Sequence, residues 1–115
     1  MIASYTKQTS DIKYSVSRCL KYMGVVILDE NQKPMNGERV MTDGSLMRFK
    51  DGLIDGGNFP AIEYENGGTE YWEKGFPHGF PAVITDFGMR CEFWDHGKLV
   101  KIESEMEITD INVEG

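Results

Sequence analysis

Apolar positions follow two rhythms along the chain. Between residues 9 and 23, Ile12, Val16, Cys19, Leu20 and Met23 fall at helical spacing, with Ser10 or Asp11 placed to cap a short amphipathic helix. The alternation of Ile12, Tyr14 and Val16 carries the competing strand reading of the same stretch. Next, Gly24-Val25-Val26-Ile27-Leu28 is β-branched and runs into Asp29-Glu30-Asn31-Gln32-Lys33-Pro34, which predicts a strand followed by a turn.

From about residue 36 to residue 99 the pattern repeats. An aromatic residue followed three positions later by glycine recurs as Phe49-Lys50-Asp51-Gly52, Trp72-Glu73-Lys74-Gly75 and Trp94-Asp95-His96-Gly97, at intervals of 23 and 22 residues. In register with it, Phe59-Pro60-Ala61-Ile62 and Phe80-Pro81-Ala82-Val83 each lead to a glycine-containing turn, Asn66-Gly67-Gly68 or Asp86-Phe87-Gly88. Residues 38–44, ending in Asp43-Gly44, form an earlier and more degenerate copy. Each copy predicts a β-hairpin, because Asp51-Gly52, Lys74-Gly75 and His96-Gly97 sit where a two-residue turn needs positive φ. One hairpin is marginal in water, so stacked copies must share an apolar face. Pro60 and Pro81 lack a backbone donor and are expected at strand starts or on an edge.

These motifs resemble a known family. Trp72-Glu73-Lys74-Gly75-Phe76-Pro77-His78-Gly79 is similar to the W-x-x-G-x-x-H-G core of MORN repeats, and residues 49–57 are similar with Phe for Trp and Asp for His. Residues 68–72 with Pro81-Ala82-Val83 resemble the divergent MORN-like repeats of bacterial and phage proteins. The glycine usual two residues before the aromatic is replaced by Met47, Glu70 and Glu92, and the third copy has no His-Gly. The resemblance spans about 60 of the 115 residues, outside the first 35 and the last 15. It implies stacked antiparallel hairpins in a single-layer sheet, and a surface for protein or lipid contact or a part in toxin–antitoxin modules, with no catalysis.

The chain's 115 residues suit one domain, in which residues 1–35 form an N-terminal helix or strand segment packed on the sheet, 36–99 the hairpin repeats and 100–115 a C-terminal strand or acidic tail. The fold class expected is mainly β, or α+β if residues 9–23 are helical. Twelve Lys and Arg against 19 Asp and Glu give a charge of −7 with no dense basic run, so no direct nucleic-acid binding is expected. No apolar run approaches the length of a transmembrane helix and the first residues carry no basic-then-apolar leader, so a cytoplasmic protein is expected. Two cysteines do not make a stapled secreted scaffold, and both are read as buried free thiols.

The chemistry on offer is thin. Cys91 and His96 have metal-ligand spacing, but zinc needs Cys19 and His78 to fold in beside them. A Cys91 nucleophile with His78 or His96 as base would need an orienting partner. Asp55 with Glu63, or Glu70 with Glu92, pair carboxylates, and repeat spacing puts Glu70 and Glu92 on a solvated face. No phosphate-binding loop occurs. No enzyme, metal or cofactor is therefore expected, and the histidines read as turn residues.

Two surfaces remain. Among Tyr71, Trp72, Phe76, Phe80, Phe87, Phe93 and Trp94, adjacent aromatics cannot share one face of a strand, so one of each pair is either covered by the N-terminal segment or open to a partner. Glu103, Glu105 and Glu107 alternate with Ile102, Met106 and Ile108, as a solvated edge strand, an acidic stripe for a basic partner, or a frayed tail. The expectation is a non-catalytic protein-interaction module using Tyr71, Trp72, Phe76, Phe93, Trp94, Glu103, Glu105 and Glu107. The alternative is a small acidic inhibitor or antitoxin-like protein occluding a partner's basic nucleic-acid-binding surface. An open sheet edge also suits a homodimer.

Overall fold

The computed structural model describes residues 17–85 and 88–104, and turn chemistry organises nearly all of them. In Asp51-Gly52, Lys74-Gly75 and His96-Gly97 both residues have positive φ (54° and 84°, 52° and 88°, 46° and 89°), the two-residue turn whose twist matches that of paired strands. The first of these turns joins β2 (Leu46–Lys50) to β3 (Leu53–Ile54), the second β6 (Trp72–Glu73) to β7 (Phe76–Pro77) and the third β9 (Arg90–Asp95) to β10 (Lys98–Ser104). With β1 (Gly37–Val40), β4 (Ile62–Glu63), β5 (Thr69–Glu70) and β8 (Gly79–Thr85), the main antiparallel sheet runs β1-β2-β4-β5-β8-β9-β10, with β3 beside β2. β6 and β7 form a separate ribbon.

The period seen in the sequence is a period of bonding. Gly52, Gly75 and Gly97 donate their N–H to the carbonyls of Met35, Ile54 and Pro77, at 2.8, 2.9 and 2.8 Å. The N–H of the preceding turn residue, Asp51, Lys74 or His96, is accepted by the side chain of Asn36, Asp55 or His78, at 2.8, 3.0 and 3.1 Å. Each turn is thereby tied to the segment one repeat earlier. At the opposite ends of the strands, the loops 41–45 and 64–68 repeat one pattern of backbone bonds, with Asp43 and Asn66 in the same capping role. The degenerate early copy is thus a true β1–β2 hairpin, and Asn36-Gly37, which precedes it, plays the part of Asp55-Gly56 and His78-Gly79.

Register sets the core. Met47, Ile62, Glu70, Val83, Glu92 and Ile102 pair successively across the sheet and all are buried. Phe49, Trp72 and Trp94, two residues after Met47, Glu70 and Glu92, are buried with them. Cys19 joins the part of the core around Phe49 and Trp72, Leu20 packs against the part around Trp94, and Met23 touches both.

Several expectations are corrected. Glu70 and Glu92 are wholly buried, not solvated, because alternation puts them in the inner row beside Ile62 and Val83. Gly24–Leu28 is no strand: Leu28 bridges Pro34, while Gly24 and Ile27 donate N–H to the turn carbonyls of Gly75 and Gly52. This segment crosses the turns instead of running along the sheet, which leaves Val25, Val26 and Leu28 exposed. Pro81 lies inside β8, between β5 and β9, where the register shifts between Gly79 and Val83 and no ladder donor is needed. Of the helix expected over 9–23, residues 9–16 lie outside the described residues, and the rest holds one 3-10 turn, Leu20–Tyr22. No helix among the described residues is long and apolar enough to cross a membrane.

Candidate functional site

Two features stand out, a buried carboxylate network and a polar cluster at the turns. Glu70 accepts hydrogen bonds from Ser17 Oγ (2.9 Å), Arg18 N (3.3 Å), Tyr64 OH (2.5 Å) and Trp72 Nε1 (2.8 Å). Burial pushes its carboxyl above the ordinary range, against the opposing pull of those donors. Burial, then the charge of Glu70, raises Tyr64 as well. Glu92 accepts from Trp94 Nε1 at 2.8 Å in the equivalent place. Where the aromatic is Phe49, which has no donor, the residue two before it is Met47. The inward carboxylates are thus partners of indole N–H groups, and Glu70 also pins the chain at Ser17 and Arg18 across the sheet.

At the turns, Glu73 at the end of β6, His78 after β7 and His96 in the β9–β10 turn converge. Their ligand atoms lie within 4.8 Å of one another. Glu73 Oε1 is 3.2 Å from His96 Nε2 and 4.0 Å from His78 Nε2. The two rings stack with centroids 3.9 Å apart, and His96 Nδ1 lies 2.7 Å from Asp95 Oδ1. Beside them is a groove of about 280 Å³ lined by Lys50, Asp55, Tyr71, Glu73, Lys74 and His78 among others.

The residues singled out in the sequence separate sharply. Trp72 and Trp94 are 3% and 0% exposed and are core, so neither is a contact residue. Tyr71 and Phe93 alternate onto the outer face and are half-buried, Phe93 beneath the Lys101 ammonium at 4.7 Å from the ring centroid. Phe76 is exposed and overlies Gly24 and Gly97. Glu103 is exposed and pairs with Lys101 at 2.9 Å, while Glu105, Glu107 and Phe87 lie outside the described residues.

Neither cysteine joins the histidines. Cys91 is four residues before the end of β9, roughly 13 Å along the strand from Asp95, and His96 lies in the turn beyond. Cys19 is inside the core. Asp55 and Glu63 do not form an acid/base pair: Asp55 accepts from Gly57 N and Lys74 N, and Glu63 holds Arg48. Glu73 was missed in the sequence, although its repeat counterpart, 22 residues on, is Asp95, the neighbour of His96.

Burial, then the Glu70 charge, pushes the Cys19 thiol up to about 11, while burial and then Glu103 raise half-buried Cys91. Alkylation follows the accessible thiolate. Iodoacetamide at pH 8 is therefore expected to modify Cys91 in the native chain and Cys19 only after denaturant is added, as read by peptide mass spectrometry.

Comparison with models of protein families, with curated proteins and with solved structures gives no match.

Proposed function

We propose that the chain is a non-catalytic protein-interaction module, a MORN-like stack of hairpins whose outer sheet face receives a protein partner. The recurrence of turn-to-turn bonds every 22–23 residues supports the stacked architecture. The observation that carries the functional reading is the asymmetry of the sheet. Its inner face is closed by the segment around Cys19, Leu20 and Met23, whereas its outer face presents Arg48, Tyr71 and Phe93 at equivalent repeat positions, with Leu46, Ile84 and Cys91 beside them, all part-exposed.

Two of the cations on that face are already matched. Arg48 pairs with Glu38 and Glu63, and Lys101 with Glu103. The partner is accordingly one recognised through apolar and aromatic contact, with weak salt dependence. The acidic-inhibitor alternative loses Glu103 to its own lysine.

The test is photo-crosslinking from position 71 or 93 in host lysate, followed by reconstitution with the captured protein. The expected result is a complex retained at moderate salt, lost on Tyr71→Ser with Phe93→Ser at unchanged unfolding temperature, and retained on Glu103→Gln. A complex indifferent to Tyr71 and Phe93, or one abolished by salt and by Glu103→Gln, would overturn this reading.

A further inference from the structure

We propose that Glu73, His78 and His96 form a binding site for a divalent transition-metal ion of the zinc type, clamped between two successive hairpins and oriented by Asp95. Two imidazoles and a carboxylate are a ligand set suited to zinc and its neighbours in the first transition row. The donors come from both hairpins, Glu73 and His78 flanking the Lys74-Gly75 turn and His96 belonging to the His96-Gly97 turn. Their backbones are already held together by the Gly97 N–H to Pro77 carbonyl bond.

Proton placement favours a cation here. Asp95 Oδ1, 2.7 Å from His96 Nδ1, takes the ring N–H when the imidazole is neutral and turns the Nε2 lone pair towards Glu73 Oε1, 3.2 Å away. In that tautomer the His96 Nε2 lone pair and Glu73 Oε1 both face the space between them, where a metal ion can take both as ligands. The Asp95–His96 contact is the carboxylate–histidine arrangement that sets the tautomer and raises the basicity of a metal-binding imidazole. Bonds of 2.0–2.1 Å in a tetrahedron place ligand atoms about 3.4 Å apart. The observed spread of up to 4.8 Å closes by side-chain rotation of Glu73 and His96, which are 49% and 64% exposed.

His78 contributes through a tautomer change. As acceptor of the His96 N–H it carries its own proton on Nε2; binding the ion there moves that proton to Nδ1, which faces Asp95 Oδ1 at 3.8 Å, and gives up the bond to His96 N. Three protein donors leave a fourth tetrahedral position to water, and Glu73 and His78 also line the neighbouring groove.

The repeat supplies the variant that separates a ligand from a turn cap. Asn36 caps Asp51 N as His78 caps His96 N, so His78→Asn keeps an acceptor in place while removing the imidazole. The experiment is calorimetric titration of the untagged chain with Zn²⁺, Co²⁺ absorption as a reporter of geometry, and unfolding temperature with and without metal. Expected are one ion per chain, a tetrahedral Co²⁺ spectrum and a metal-dependent rise in unfolding temperature. His78→Asn and His96→Asn should lose all three while their metal-free unfolding temperatures stay near that of the native chain. Asp95→Asn should weaken binding about tenfold. A Cys19→Ser, Cys91→Ser chain should bind as the native chain does. Absence of saturable binding, binding retained by His96→Asn, or binding lost with the cysteines would overturn the site.

Discussion

Glu70→Ala is expected to cost about 4 kcal/mol or more, enough to leave much of the chain unfolded, because it strands several donors at once at about 1–3 kcal/mol for each buried one. Ser17 Oγ, Arg18 N, Tyr64 OH and Trp72 Nε1 all lose their acceptor, and Ser17 and Trp72 are themselves buried. The loss is not local, since the first two hold the strap over the inner face. Glu70→Gln keeps one carbonyl oxygen and should cost about 1–2 kcal/mol, the range for one imperfect buried hydrogen bond.

Comparing Glu70→Gln with the native chain also isolates a pH effect. Burial raises the folded-state value of this carboxyl above its unfolded value of about 4.5, so between the two the folded chain holds the extra proton. Its contribution is therefore full below about pH 4.5 and declines as pH rises through the raised folded value. Urea midpoints of the native chain should fall relative to Glu70→Gln over that window. Midpoints that move in parallel would show that Glu70 titrates alike in both states.

The second large effect falls on Gly56. A Cβ built there would stand 2.0 Å from the carbonyl oxygen of Phe59 and 2.7 Å from Ala61 N, both backbone atoms that cannot swing aside. Gly56→Ala must displace the Phe59-Pro60-Ala61 corner, and with it the Ala61 N–H to Glu70 carbonyl bond and the Arg48 N–H to Ala61 carbonyl bond. A loss of about 3 kcal/mol is expected, at the upper end for overpacking. Gly57, next along, is the control: it has φ +64° and nothing within 4 Å of where a Cβ would stand, so Gly57→Ala should cost only the left-handed backbone penalty of about 1–2 kcal/mol. Equal costs at the two positions, measured by denaturant unfolding, would show that the corner yields.

What could be read in advance was whatever depends on local chemistry. The three two-residue turns follow from glycine's tolerance of positive φ, and all three hairpins formed as expected, whereas strand alternation left open which of Tyr71 and Trp72, or Phe93 and Trp94, faces inward. The inner glutamates were misplaced because charge ordinarily marks solvent, and only pairwise comparison of the copies shows otherwise: glutamate stands before tryptophan at 70/72 and 92/94, methionine before phenylalanine at 47/49. Val25, Val26 and Leu28 looked like a strand because β-branching reports backbone preference, while their exposure is decided by bonds from Gly24 and Ile27 to turns tens of residues away. The Glu73–His78–His96 cluster was hidden for the same reason. Its members meet only once the His96-Gly97 turn is bonded to Pro77 and His78 of the preceding hairpin.

The capping bonds of Asn36, Asp55 and His78 give the molecule a unit of length. Asp55 and His78 each stand three residues after one turn and accept an N–H from the next, while Gly24 and Ile27 add bonds to the turns from far upstream. Duplicating residues 53–75 would repeat the turn-to-turn bonds, but the copied glutamate and turn carbonyl would meet no second Ser17, Arg18 or Gly24. The third hairpin ends the series, since Val100 stands where the next acceptor would be. The length of the sheet is thus matched to the segment of residues 17–28 that closes its inner face, and a change in the number of hairpins would require a change in that segment.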